Sequence, residues 1–159
     1  TKVKKPADLK AALELAFKHD HKVVVEEAVK NPIEIECSVL GNEDPIAAGP
    51  GEIVPGEEFY TYNAKYNNAG SQLYIPARIP EEIAAEVREI AKKAYRVLGC
   101  RGMARVDFLI DGNTKKIYLN EPNTLPGFTD ISMYPKMLVA SGMGYPELID
   151  RLLELAMEP

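Results

Sequence analysis

Arg105, Asp107, Glu121 and Asn123 are the residues whose types and spacing point most directly to chemistry. Arg105-Val106-Asp107 is flanked by Met103-Ala104 and Phe108-Leu109-Ile110, and Ile117-Tyr118-Leu119 precedes Asn120-Glu121-Pro122-Asn123-Thr124-Leu125-Pro126-Gly127. Each stretch reads as the polar end of a buried strand. Asp111-Gly112-Asn113-Thr114 between them is a turn signal and predicts an antiparallel hairpin. Pairing centred on Thr114 sets Asp107 opposite Glu121 and Arg105 opposite Asn123, with all four side chains on one face. Two carboxylates, an amide oxygen and a guanidinium then meet at one spot. Hard oxygen donors suit Mg²⁺, which takes one or two carboxylates together with phosphate oxygens and water. A lone Asp–Glu pair would be ordinary surface charge. Four groups in register at the ends of apolar strands, ahead of a Pro-Gly turn, favour the metal reading.

The elements that must carry this hairpin follow from periodicity. Pro6 to Asp20 reads as an amphipathic helix with Leu9, Leu13, Ala16 and Phe17 on one side. Lys22 to Val29 and Glu34 to Gly41 read as apolar strands separated by a turn at Asn31-Pro32. Within the Gly- and Pro-containing stretch Asn42 to Pro55, Ile46-Ala47-Ala48 and Glu52-Ile53-Val54 are short strand candidates. Thr61 to Arg78 has neither period and predicts a long loop of the kind that serves as a lid, with disorder expected within Thr61 to Gln72. Pro80 to Leu98 is a helix with Pro at its start, Glu81-Glu82 in its first turn and Gly99 as its stop. Ile131 to Ser141 and Pro146 to Met157 are two further helices. Strands and helices mix without βαβ alternation, which predicts an α+β fold with a largely antiparallel sheet flanked by helices.

Bulk properties exclude several function classes. The 159 residues suit one domain with a real core, and the net charge of −5 comes without a basic, aromatic-interleaved patch for nucleic acid. No apolar run is long enough to span a membrane, and the start does not read as a signal peptide. Cys37 and Cys100 lack CxxC spacing or a His partner and read as buried free thiols. His19 and His21 flank Asp20 at a helix end and read as a solvated turn.

Other positions carry weaker signals. Glu26-Glu27-Ala28-Val29 ends a strand in the manner of an edge where an adenine docks, although exposed glutamates at strand ends are common. Glu34 and Glu36 share a strand face, which a solvated surface explains as simply as ribose binding. Lys65 and Tyr66 lie mid-loop, where a lysine is placed to neutralise phosphate after closure or is simply solvated. Backbone N–H groups near Gly127 suit an anion or oxyanion. Ser132 falls at a helix start, where a cap is the default role.

With these residues collected, the chain resembles the D-alanine–D-alanine ligases of the ATP-grasp superfamily. The resemblance is carried by Val25-Glu26-Glu27-Ala28-Val29, Glu34-Ile35-Glu36-Cys37, Tyr62-Asn63-Ala64-Lys65-Tyr66 and Leu98-Gly99-Cys100-Arg101-Gly102-Met103-Ala104-Arg105-Val106-Asp107. Asn120 to Thr129 is the strongest segment, followed by Ser132-Met133-Tyr134-Pro135. The family phosphorylates one D-alanine carboxylate with ATP, and the amine of a second D-alanine attacks the acyl phosphate, in the bacterial cytoplasm, for peptidoglycan synthesis. The resemblance implies that Glu26, Glu27 and Val29 hold adenine, with Phe59 as a wall and Glu34 on the ribose. It implies two Mg²⁺ ions (or Mn²⁺) on Asp107, Glu121 and Asn123, and Arg105 with the Gly127 N–H on the tetrahedral intermediate. Lys65, Ser132 and Met133 would take the second substrate's carboxylate, under Tyr66 on the lid.

Two departures stand out against the family. Pro122 replaces a residue with an N–H, so its position must be an edge or unpaired. The family's N-terminal domain and the first part of its ATP-grasp region, with their phosphate-facing lysines, have no counterpart, and Thr1-Lys2-Val3 resembles the continuation after its serine-rich loop. The chain is therefore expected to be a C-terminal portion, inactive alone and marginal in solution with an exposed apolar patch. Its partner is expected to be the missing N-terminal region, in an enzyme that is typically a homodimer. D-alanine–D-serine and D-alanine–D-lactate ligases share much of the pattern. Lys65-Tyr66 and Met133 favour D-alanine as second substrate.

Overall fold

The computed structural model describes residues 1–55 and 71–158, which form two compact units, Thr1–Lys30 and Asn31–Pro159. The first unit opens with a short 3-10 turn at Pro6–Asp8 that leads into helix α1, Leu9–Ala16. The helix stops short of the expected Asp20 because the backbone tightens. The N–H groups of Lys18 and His19 bond the carbonyls of Leu15 and Ala16, three residues back. No residue of α1 is buried, and Leu15 and Phe17 are about half exposed.

The predicted strand from Lys22 to Val29 does not form. Strand hydrogen bonds need a neighbouring strand, and the described residues of this unit contain no second one. Val24 and Val25 are left 71% and 67% exposed. Apolar runs signal a strand only where a partner exists to pair with it.

The second unit is an antiparallel sheet with helices on both faces, as the mixed pattern predicts. Its strands are β1 (Pro32–Leu40), β2 (Ile46–Val54), β3 (Gln72–Tyr74), β4 (Met103–Asp111) and β5 (Ile117–Asn123). They lie in the order β3-β2-β1-β4-β5. The helices are α2 (Glu81–Val97), α3 (Met133–Ala140) and α4 (Tyr145–Met157). Asn31, at φ 45°, makes the turn ahead of Pro32. The two strand candidates between residues 46 and 54 are one strand, because a bulge in β2 at Gly49-Pro50, opposite the Glu36–Ser38 stretch of β1, absorbs the irregular Gly49-Pro50-Gly51. β3 was expected to be loop; it pairs with β2 from Glu52↔Tyr74 to Val54↔Gln72. Gly99, at φ 66°, ends α2 as the sequence indicates.

Alternation divides the sheet into two faces. Ile35, Cys37 and Val39 of β1 and Ala104, Val106, Phe108 and Ile110 of β4 bury against Val87, Ala91 and Tyr95 of α2. On the opposite face, α3 and α4 cover one end, where Leu40 and Ala48 meet Tyr134, Leu138, Leu148 and Leu155. Ser38 Oγ–H donates to the Tyr134 carbonyl at 2.9 Å and Tyr134 O–H to the Val39 carbonyl at 3.2 Å, tying α3 to β1. Among the described residues of this unit, no helix covers the other end of that face.

Among the described residues no helix is long and apolar enough to cross a membrane. Burial pushes the Cys37 thiol up to about 12, which leaves it inert, whereas Cys100 is only half-buried, contrary to expectation. It lies just past the end of α2.

Candidate functional site

The open end of the sheet brings together the residues that the hairpin argument singles out. Arg105 pairs with Asn123, and Asp107 with Glu121, across β4 and β5. The turn that sets this register is built by Asp111, whose Oδ1 accepts the N–H groups of Asn113 and Thr114 at 2.9 and 2.8 Å. Its pairing is not centred on Thr114, however. Ile110 faces Ile117 and Phe108 faces Leu119, so the ladder near the turn runs one residue out of step with the ladder at the site. A bulge at Asn120 makes up the difference. A one-residue slip moves every side chain to the other face; without the bulge Glu121 would point with Val106 toward α2. With it, the consecutive residues Asn120 and Glu121 both line the open cavity.

β5 is the edge strand, which explains how Pro122 is accommodated opposite Val106 without an N–H to give. Being an edge, β5 is mostly exposed rather than buried as its apolar Ile117-Tyr118-Leu119 suggested.

The neighbour on the other side of β4 adds a residue that was weighed only for ribose or solvent. Glu36 of β1 is the Cα partner of Asp107. Glu36, Asp107 and Glu121 therefore form a row of three carboxylates across adjacent strands. Adjacent like charges are unfavourable, and Arg105 offsets them. Its Nε and Nη2 donate to Asp107 Oδ1 and Oδ2, each at 2.7 Å, and Nε lies 3.3 Å from Glu36 Oε2. The pairing of β1 with β4 joins segments some 70 residues apart, so no local pattern announces it. The Glu34/Glu36 alternation was the available signal.

Glu34, Glu36, Asp107, Asn120 and Glu121, with Ile53 and Leu109 between them, line a cavity of about 220 Å³. Glu34 thus belongs to the same concavity as the hairpin. Among the described residues no group of three or more Asp, Glu, His or Cys side chains is disposed to hold a metal alone. Asp107 and Glu121 in register, with the Asn123 amide oxygen beside them, fit a Mg²⁺ ion that draws its remaining ligands from phosphate and water. Asn123 Oδ1 also accepts the Leu125 N–H at 3.1 Å, which fixes the amide at the strand end.

Past the hairpin, the chain turns so that Gly127 comes against Ser132. A Cβ on Gly127 would stand 2.8 Å from Ser132 Oγ, so a side chain there would displace the serine hydroxyl from its bond with Thr129. Ser132 occupies the N-cap position of α3, but its hydroxyl bonds Thr129, accepting the Thr129 N–H at 3.0 Å, and caps no helix N–H. Met133 is 4% exposed and packs with Ile53 and Met137, so this position offers a ligand its backbone only. Glu26, Glu27 and Val29 lie in the first unit, outside any strand, and Glu34 in the second. Phe59, Lys65 and Tyr66, with most of the expected lid, lie outside the described residues.

Comparison with known proteins bears on this geometry. The family described as "D-ala D-ala ligase C-terminus" matches residues 1–154. The D-alanine–D-alanine ligase of Chlorobium chlorochromatii is 58% identical over 159 residues, covering 100% of this chain and 44% of the relative. That of Clostridium acetobutylicum is 56% identical over 156 residues, covering 98% of this chain and 45% of the relative. The chain thus spans less than half the length of these relatives. Among solved structures, the D-alanine–D-alanine ligase of Coxiella burnetii superposes with a TM-score of 0.84 at 39% identity, over 98% of this chain and 40% of that one. The VanG D-Ala:D-Ser ligase of Enterococcus faecalis gives 0.86 at 41%, over 98% and 45%.

Proposed function

The chain belongs to the D-ala D-ala ligase C-terminus family, and from that premise we propose that it carries the metal–nucleotide face of an ATP-dependent ligase joining two D-alanines. The observation that carries this reading is the in-register set Arg105, Asp107, Glu121 and Asn123 on the open end of the sheet. Asp107, Glu121 and Asn123 would hold Mg²⁺, which when bound neutralises phosphate charge in phosphoryl transfer. Two such ions, with Mn²⁺ as a substitute, would belong to the same proposal.

Arg105 and the Gly127 N–H would stabilise negative charge on the tetrahedral intermediate formed when the second amine attacks the acyl phosphate. Glu26, Glu27, Val29 and Phe59 would receive adenine and Glu34 the ribose. Lys65, Ser132 and the Met133 backbone would take the second substrate's carboxylate beneath Tyr66. The product would be the dipeptide used in peptidoglycan synthesis, made in the bacterial cytoplasm by a homodimeric enzyme. We further propose that residues 1–159 alone do not turn over, because groups facing the transferred phosphate come from family segments outside the match.

The likeness to a D-Ala:D-Ser ligase supports a second reading, in which the fold and metal face are the same and only the second amino acid differs. The test is phosphate release from ATP with Mg²⁺ and D-alanine, after these residues replace the matching segment of the Chlorobium chlorochromatii relative. Turnover is expected, with Glu121→Gln lowering it by about a hundredfold or more. Unchanged turnover in Glu121→Gln would contradict the metal assignment, and a preference for D-serine would select the second reading.

A further inference from the structure

Glu36 is the one carboxylate of the three-strand row to which the proposed reaction gives no role. It is buried, lines the same cavity, and lies 3.3 Å from the Arg105 nitrogen that also serves Asp107. Arg105 engages both Asp107 oxygens with its fork. A dication held by Asp107 would take up those oxygens and place positive charge beside the guanidinium. Side-chain exposure of only 15% keeps Arg105 from retreating into water, and a buried charge deprived of its anion is costly. Ser38, the Cα partner of Arg105 on β1, gives its hydroxyl to the Tyr134 carbonyl. Among the described residues, Glu36 is the second carboxylate in contact with Arg105.

We propose that Glu36 is a positioning residue that retains Arg105 when a metal ion takes Asp107. It holds the guanidinium by Nε beside the ion and leaves the Nη donors available to an anionic ligand in the cavity. This inference rests on the reading of Asp107 as a metal ligand. It differs from a simple charge effect because it acts through Arg105, and a double-mutant cycle separates the two.

The experiment measures Mn²⁺ binding to the chain by electron paramagnetic resonance in wild type, Glu36→Gln, Glu36→Asp, Arg105→Gln and the double variant Glu36→Gln/Arg105→Gln, with Asp107→Asn as control. Glu36→Gln is expected to weaken binding about tenfold with Arg105 present and by no more than about twofold in the Arg105→Gln background. Glu36→Asp, which keeps the charge, is expected to recover most of the loss. In ¹⁵N spectra at saturating Mg²⁺, the Arg105 Nε–H should stay protected from exchange in wild type and Glu36→Asp and lose protection in Glu36→Gln. Equal weakening in both backgrounds, or none in either, overturns the proposal. Wild-type binding that is absent, or undiminished by Asp107→Asn, overturns the metal reading itself and this proposal with it.

Discussion

The two faces of the sheet are built from the same strands and differ in what covers them. Toward α2, β1 and β4 present only apolar side chains, and Glu52 of β2, the Cα partner of Ile35, is held by Arg78. Arg78 gives it a backbone N–H at 3.0 Å and two guanidinium donors at 2.9 and 2.8 Å. On the opposite face β1, β4 and β5 present Glu36, Asp107 and Glu121, and the Arg105 guanidinium lies against the first two of these carboxylates. Arg78 and Arg105 thus do different work. Arg78 closes an account of charge and pins β3 beside β2, while Arg105 is divided between two members of a three-carboxylate row.

The contrast breaks most visibly under core truncation. Phe108→Ala on the covered face should cost about 3–5 kcal/mol in urea unfolding, because the ring is fully buried between sheet and α2. Asp107→Asn, its neighbour on the open face, should cost less, about 1–2 kcal/mol, because it weakens the two bonds from Arg105 while relieving repulsion from Glu36. Comparable losses in both would mean that the open face is structural.

Acid sharpens the comparison on a smaller scale. Arg78 holds the Glu52 carboxyl below its ordinary value of 4.5. The stability this pair contributes is therefore complete above pH 4.5 and lost as pH falls through the lower folded value. Glu52→Gln should cost about 1–2 kcal/mol at neutral pH, the lower part of the charged-bond range because Arg78 is half exposed. It should also flatten the acid limb of the stability curve. Pro122→Ala is expected to have the smallest effect, less than about 1 kcal/mol in unfolding, with Mn²⁺ affinity unchanged, since an edge strand needs no N–H there.

How far the sequence reveals these faces follows from what each requires. The covered face is legible because a helix lies along it: alternation in β4 and the stripe of α2 follow directly from burial. The Arg105/Asp107/Glu121/Asn123 set is legible for a different reason, the short loop of its hairpin, although the Thr114-centred register reached the correct pairing without the bulge that produces it. Two features were not readable. Glu36 joins the site through β1–β4 pairing, which depends on tertiary packing, and Lys22–Val29 carries a strand composition without a strand to pair with. Resemblance to the ligases named residues for adenine and the second substrate, but Met133 shows how a named position can bury its side chain and offer only backbone.

The most direct test of the central claim, that the open end of the sheet is a divalent-metal face, is paramagnetic broadening by Mn²⁺ in the ¹⁵N–¹H spectrum of the chain. The chain has a second acidic concavity, lined by Asp44, Glu147, Asp150 and Glu154 beside α4, which serves as an internal control. Broadening centred on Arg105, Asp107, Glu121 and Asn123, and abolished by Asp107→Asn, is the predicted result. Broadening confined to the α4 concavity, or unaffected by Asp107→Asn, would contradict it.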